Sequence, residues 1–294
     1  MKTLVERLSL LALKEGENKT NLDGVTIYKA SQSIKKIPLC YSQGLIIVVQ
    51  GNKKVYLENE IYTYNPDNYL VLTLPLPAEC ETIVEPGKPL LSLMIDFDLS
   101  QLNELVRLFD EHHMTSSLSS SKVTKGLYVS QCNFELMDVV DRLVDCLSSP
   151  LKSSVLGPGL VREVMFELLH GPQSSSLFEL VSHNTQLARL EKVLKHLHDN
   201  FAQSLDVDKL AKMANMSQST FHRNFKQMTA SSPIQYVKKI RLNRARELLQ
   251  DQGLRVKQAA SQVGYESPSQ FSREFKRYFG ASPQQQARAI GLQN

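Results

Sequence analysis

Between residues 22 and 98 the apolar positions fall in short β-branched or aromatic runs: Val25–Ala30, Leu45–Gln50, Lys53–Leu57, Tyr69–Leu74 and Leu90–Phe97. Runs of this length bounded by turn residues predict strands. Gly51–Asn52, between two of them, is a hairpin signal. Pro66-Asp67-Asn68, Pro75, Pro77 and Pro86-Gly87 punctuate the rest. Five or more short strands with tight turns predict a small β-barrel or sandwich. Ahead of them, MKTLVERLSLLALKEGENK carries Glu6 and Arg7 inside its apolar run and no small-residue cleavage site. It predicts an amphipathic helix and not a signal peptide.

After Asp98 the period changes. Leu102, Leu105, Val106 and Phe109 share one helical stripe, and Leu136, Val139, Val140, Leu143 and Leu147 share another. Thr115–Ser121, rich in Ser, reads as a loop. Gly157-Pro158-Gly159 reads as the start of a third helix with Leu160, Val161, Val164, Met165 and Leu168 apolar, stopped by Gly171-Pro172. Pro172–Ser176 is the first linker candidate, with Ser182–Gln186 as the alternative boundary. Beyond it the pattern is helical to the end. The chain is therefore an α+β multidomain protein, with domains at 1–182 and 183–294.

The helical part contains an internal repeat. SQSTFHRNFK at 217–226 recurs as SPSQFSREFK at 267–276, offset by 50 residues, and the match continues at Ser232-Pro233 and Ser282-Pro283. Upstream, Ala211-x-x-Ala214 matches Ala260-x-x-Val263 at an offset of 49, so the second copy carries one extra residue, Glu266. Each copy predicts two short helices joined by a tight turn. Ser217 and Ser267 are placed to cap the second helix of each copy, Pro268 suits a first helical position, and Gly264 can supply a positive φ at the corner.

Spacing sorts the residues of these second helices. Phe221, Phe225 and Met228, and in the other copy Phe271, Phe275 and Tyr278 or Phe279, form apolar stripes that belong in a core. The opposite stripes carry Ser219, His222, Arg223 and Lys226, and Ser269, Ser272, Arg273 and Lys276. A polar stripe on one helix is ordinarily a solvated face. Two copies with Arg at the same place point instead to helices that enter a DNA major groove, where Arg pairs with guanine O6 and N7. Pro233–Gln250 joins the copies as one helix, with Ile234, Val237, Ile240, Ala245 and Leu248 apolar and Lys238, Lys239, Arg241, Arg244 and Arg246 directed at phosphates or water. A rigid connector would set the two reading helices about 34 Å apart on one face of a duplex.

Charge supports this division. From residue 186 onward there are 18 Lys and Arg against 8 Asp and Glu, a net +10; residues 1–185 have 16 against 22, a net −6. With 42% apolar and 22% charged residues the composition is that of a soluble globular protein. No apolar run reaches the roughly 18 residues of a membrane helix, so the expected location is the cytoplasm, in association with the nucleoid. Cys40, Cys80, Cys132 and Cys146 are scattered without a C-x-x-C pair and read as free thiols.

LAKMANMSQSTFHRNFK (210–226) and AASQVGYESPSQFSREFKRYFGASP (259–283) resemble the AraC/XylS-type DNA-binding domain, over roughly residues 186–290. The resemblance implies a bacterial transcription regulator, often an activator that contacts RNA polymerase. It carries base-reading roles to Ser219, His222 and Arg223 in the first unit and to Ser269, Gln270 and Arg273 in the second. YSQGLIIVVQGNKKVYLENEIYTYNPDNYLVLTLPLPAECET (41–82) is similar to the cupin-like N-terminal domain of an AraC-type branch that includes YqhC-like regulators. The implied architecture is a cupin-like β-barrel with a helical appendage, then an all-α domain of two helix-turn-helix units joined by a connector helix. The partners so implied are double-stranded DNA, RNA polymerase, a small-molecule effector and a second copy of the chain.

Cupin enzymes hold a metal with two or three His and a Glu. The strand region 22–98 contains no His, and His112 and His113 lie beyond it, so neither a metal nor another cofactor is expected. A cupin enzyme tethered to DNA and a non-specific architectural DNA protein are the competing readings. Cys80, in Pro77-Ala78-Glu79-Cys80-Glu81, is a candidate sensor of an electrophile or oxidant, although Glu79 and Glu81 would blunt the reactivity of its thiol.

Overall fold

The computed structural model describes residues 2–112, 125–182, 185–250 and 252–288. His113 and the segment Thr115–Ser121 lie outside them. The chain divides into two compact units. The first comprises Met1–Lys36, Ser42–Leu76 and Cys80–Ala188; the second comprises Ile37–Tyr41, Pro77–Glu79 and Arg189–Asn294.

The first unit opens with α1 (Leu4–Leu11), where Thr3 and Glu6 cap each other's backbone N–H. The strands are β1 (Gly16–Lys19), β2 (Val25–Ala30), β3 (Ile34–Tyr41), β4 (Gly44–Gln50), β5 (Asn52–Leu57), β6 (Glu60–Tyr64), β7 (Asn68–Leu72), β8 (Leu76–Ile83), β9 (Leu90–Asp96) and β10 (Leu127–Gln131). They form two sheets, ordered β1-β2-β9-β4-β7-β10 and β3-β8-β5-β6. The registered pairs are antiparallel, with β9 between β2 (Ile27↔Leu93) and β4 (Ile47↔Leu93). Gly44 through Val48 are buried without alternation, as suits a strand covered on both faces.

Gly51 does a different job from the hairpin the sequence predicts. β4 and β5 lie in different sheets, and Gly51 is where the chain crosses between them. Its φ is +88°, and a Cβ there would stand 3.1 Å from the Leu90 Cα. The hairpin forms one strand later, at Glu58-Asn59, with Leu57 opposite Glu60 and Glu58 at φ +54°.

Four helices complete this unit: α2 (Leu99–Glu111), capped by Asp98; α3 (Phe134–Cys146), capped by Asn133; α4 (Pro150–His170), capped by Ser149; and α5 (Ser175–Val181). α4 starts seven residues before Gly157, so Gly157-Pro158-Gly159 lies inside it and not at its start. Gly157 packs closely: a Cβ would meet the Leu22 methyls at 2.8 Å, so that side chain would have to shift. α5 begins inside the first linker candidate, at Ser175 and Ser176, after a turn over residues 172–174. No described helix is long and apolar enough to cross a membrane.

Apart from the β3 and β8 segments Ile37–Tyr41 and Pro77–Glu79, the second unit is helical: α6 (Gln186–Asp199), whose first turn falls to the first unit, α7 (Val207–Met213), α8 (Gln218–Thr229), α9 (Pro233–Gln250), α10 (Val256–Gln262), α11 (Pro268–Phe279) and α12 (Pro283–Arg288). α9 spans 18 residues, about 27 Å at 1.5 Å per residue. Its Tyr236 packs on Phe225 of α8 at 5.3 Å between centroids, edge on face, and also accepts or donates a hydrogen bond at 2.9 Å with His198 of α6. Its other half, through Leu242, Ala245, Leu248 and Leu249, shares a buried cluster with Ala259, Ala260, Phe271 and Phe275.

Candidate nucleic-acid interface

The two copies of the repeat are built alike, bond by bond. Before the corner, the Met216 N–H donates to Ala211 O at 3.0 Å, and the Tyr265 N–H donates to Ala260 O at 3.0 Å. The residue preceding each donor takes positive φ: Asn215 at +52° and Gly264 at +82°. Asn tolerates that region better than most residues with a Cβ. Gly264 has a second constraint, because a Cβ would lie 2.2 Å from Ala202 O. Ser217 Oγ then accepts the Thr220 N–H at 3.3 Å, and Ser267 Oγ accepts the Gln270 N–H at 3.3 Å, starting α8 and α11. Pro268 sits in the first turn. The helices end on left-handed residues, Ala230 and Gly280.

Phe221, Phe225, Phe271 and Phe275 are fully buried, with ring centroids 5.4 Å apart in each pair. Met228 is buried with the first pair, while Tyr278 and Phe279 are half-buried beside the second. With those faces inward, Ser219, His222, Arg223 and Lys226 on α8 are exposed, as are Ser269, Gln270, Arg273 and Lys276 on α11. Ser272 alone of the predicted stripe is half-buried. Each copy therefore presents a short helix with an exposed, Ser-capped N-terminal turn and an exposed Arg. That is a shape and chemistry suited to base edges and phosphates.

In the second copy Gln270, expected from the sequence to read a base, is held by a carboxylate. Glu274 accepts hydrogen bonds from Gln270 Nε2 (3.2 Å), Tyr265 OH (2.8 Å) and Lys238 Nζ (3.1 Å). Burial raises the pKa of this carboxyl, but the bonds from Gln270, Tyr265 and Lys238 outweigh that and bring it below its ordinary value. At the equivalent positions α8 carries Thr220, which bonds the Ser217 cap, and buried Asn224. No local sequence signal marks Glu274 as a hub, since Tyr265 and Lys238 come from other elements.

Four of the five connector cations, Lys238, Lys239, Arg241 and Arg246, differ from their predicted role. Arg241 donates to Phe201 O (2.7 Å), Gln203 O (2.7 Å) and Gly264 O (3.2 Å), tying the loop before α7 to the corner before α11. Lys238 is on Glu274, Lys239 donates to Ser231 Oγ at 2.9 Å, and Arg244 pairs with Glu247 at 2.6 Å. Arg246 lies 4.7 Å over the Phe279 ring. Arg241, Lys238, Lys239 and Arg246 thus brace the helices, whereas Arg244, exposed and paired only along α9, stays solvent-facing as expected. Ile234, expected on the apolar face, is 52% exposed at the helix start.

The four cysteines are free, and Cys80 is buried. Among the described residues no cluster of three His, Cys, Asp or Glu is placed to hold a metal ion.

Residues 21–176, more than half of the chain, match the family model of the AraC-type transcriptional regulator N-terminus, and residues 210–289 match that of a helix-turn-helix domain. The transcriptional activator RhaS of Klebsiella pneumoniae is 37% identical over 123 residues, 42% of this chain and 44% of RhaS. The Msm operon regulatory protein of Streptococcus mutans is 28% identical over 169 residues, 56% of this chain and 60% of that protein. The chain spans about half the length of the curated relatives it matches. A crystal structure of ToxT from Vibrio cholerae, with an unsaturated fatty acid bound, aligns with a TM-score of 0.63 over 90% of this chain and 94% of ToxT. At 14% identity that likeness is one of fold.

Proposed function

Because the chain belongs to the AraC-type transcriptional regulators, we propose that it binds a specific double-stranded DNA site through α8 and α11 and activates transcription there, in contact with RNA polymerase. The observation that carries this reading is the pair of matched corners with Arg223 and Arg273 exposed at the same turn of equivalent helices. Ser219, His222 and Arg223 would read one half-site and Ser269, Gln270 and Arg273 the other. Lys226, Ser272 and Lys276 would serve the flanking backbone.

Residues 183–294 are then the DNA-binding domain, and 1–182 a cupin-like domain that senses a small-molecule effector and dimerises. Leu151 and Val155, 73% and 67% exposed one turn apart on α4, support a seam between two copies. Sedimentation showing only a monomer, with and without DNA, removes the dimer. The family supports a regulator and not an enzyme. ToxT holds a fatty acid, and an effector of this chain, apolar or otherwise, would be taken up by the first unit. Cys80 stays a sensor candidate with a buried thiol.

Selection of duplexes from a random pool by the full chain at physiological salt tests the central claim. Enrichment of two short segments about one helical turn apart supports it. Tight, salt-sensitive binding without an enriched sequence makes the protein an architectural DNA binder instead.

A further inference from the structure

One lysine lies inside the two-sheet unit, away from the DNA-binding surface. On β5, Lys53, Val55 and Leu57 alternate inward, and Lys53 keeps only 6% of its surface exposed. Its Nζ is 4.5 Å from the centroid of the Tyr28 ring, which belongs to β2 in the other sheet. On β8, next to β5, Cys80 is also buried, close enough for its thiol to act electrostatically on the amine. Among the described residues no carboxylate pairs with Lys53, whereas the neighbouring Lys54 has Glu81 at 4.0 Å.

An ammonium buried without a counter-ion is costly, and the amine responds by giving up its proton more readily. Burial lowers the Lys53 pKa, with Cys80 opposing the shift. A desolvated lysine with more free amine is a nucleophile for carbonyl carbons. The Tyr28 ring holds the end of the side chain in place while it is charged. A neutral carbonyl compound would bear less desolvation cost beside Lys53 than a carboxylate.

Building on the effector-sensing reading of this unit, we propose that Lys53 is the attachment point for a small aldehyde or ketone, held as an imine. The ammonium first gives one proton to solvent; the nitrogen lone pair then attacks the carbonyl carbon and forms the C–N bond. The carbonyl oxygen leaves as water with both amine protons, and a C=N bond remains. No oxidant or reductant takes part. The capture replaces a charge between the sheets with a larger, uncharged group, and this is the change the sensing unit would transmit.

The test incubates the full chain with propionaldehyde, quenches with a short borohydride pulse, and maps propylated lysines by peptide mass spectrometry. Exposed Lys88 is the internal standard. The expected result is at least about tenfold more label at Lys53 than at Lys88, retained in Cys80→Ser and absent in Lys53→Arg. Label at Lys53 no greater than at Lys88 overturns the proposal. So does loss of the Lys53 label in Cys80→Ser, which would make the thiol the primary nucleophile. Affinity for the selected DNA site is measured on the same samples. A labelled Lys53 with unchanged affinity supports the attachment chemistry and refutes the effector-sensing reading instead.

Discussion

Replacing Gly264 with Ala should damage the second helix-turn-helix copy far more than the same change at Gly280. Both glycines have left-handed φ, +82° and +77°. An L-residue with a Cβ costs about 1–2 kcal/mol in that region. Nothing lies within 4 Å of a Cβ built on Gly280, so Gly280→Ala should cost only that. At Gly264 the Cβ falls 2.2 Å from Ala202 O and 2.8 Å from its carbon, both backbone atoms that cannot swing aside. Overpacking of this kind adds about 1–3 kcal/mol, for a total of about 2–5 kcal/mol. Asn215→Gly, at the matching corner of the first copy, removes a conformational cost and should be near neutral or slightly stabilising. The chain has no Trp, so amide hydrogen exchange followed by mass spectrometry is the suitable assay. It reports opening free energies for the α10–α11 peptides separately from the rest. Equal protection of those peptides in Gly264→Ala and Gly280→Ala would refute the steric argument.

Arg223→Ala and Arg273→Ala should each cost about 1–3 kcal/mol on the selected site and relax preference at one base pair; equal losses on selected and random duplexes in fluorescence anisotropy would contradict the base-reading role. Arg241→Ala leaves three backbone carbonyls short of a donor and should lower stability by about 2–4 kcal/mol in urea denaturation, with little rescue by Lys, which cannot span all three. The Glu274 carboxyl, with its pKa below the ordinary 4.5, adds stability that is present above that value and lost as pH falls through its folded pKa. Glu274→Gln should therefore flatten the acid limb of the stability curve below about pH 4.5 and weaken selectivity at the base facing Gln270.

The helical half was legible because its signals are local. Caps, corner residues and the Phe spacing sit within one repeat, and the second copy checks the first. The β half was legible only where strands are apolar. β1 (Gly16–Lys19) is polar throughout, and β3 contains Lys35, Lys36 and Pro38. β8 turns small residues inward, Ala78, Cys80 and Thr82, beside Pro77, so none of these three carries a hydrophobic signature. Gly51 signals a turn, but whether the next strand pairs back or crosses to another sheet depends on partners tens of residues away. The same distance hides the Glu274 hub. Lys238 is 36 residues from it, and its charge alone reads as solvent-facing or phosphate-facing. Gly157-Pro158-Gly159 imitates a helix start, yet α4, capped by Ser149, runs through it with Gly157 against the Leu22 side chain.

The Arg241 clamp bears on how the two copies would act together. One guanidinium grips the chain ahead of the first copy and the corner of the second, alongside a connector that is one continuous helix over Pro233–Gln250. Two modules on a flexible tether meet their sites at an effective concentration that declines gradually as the sites move apart. Modules fixed to one strut keep nearly the full chelate advantage at a single spacing and forfeit it at every other. Inserting half a turn of duplex between the half-sites would then reduce the protein to whichever copy binds better alone, with no intermediate regime.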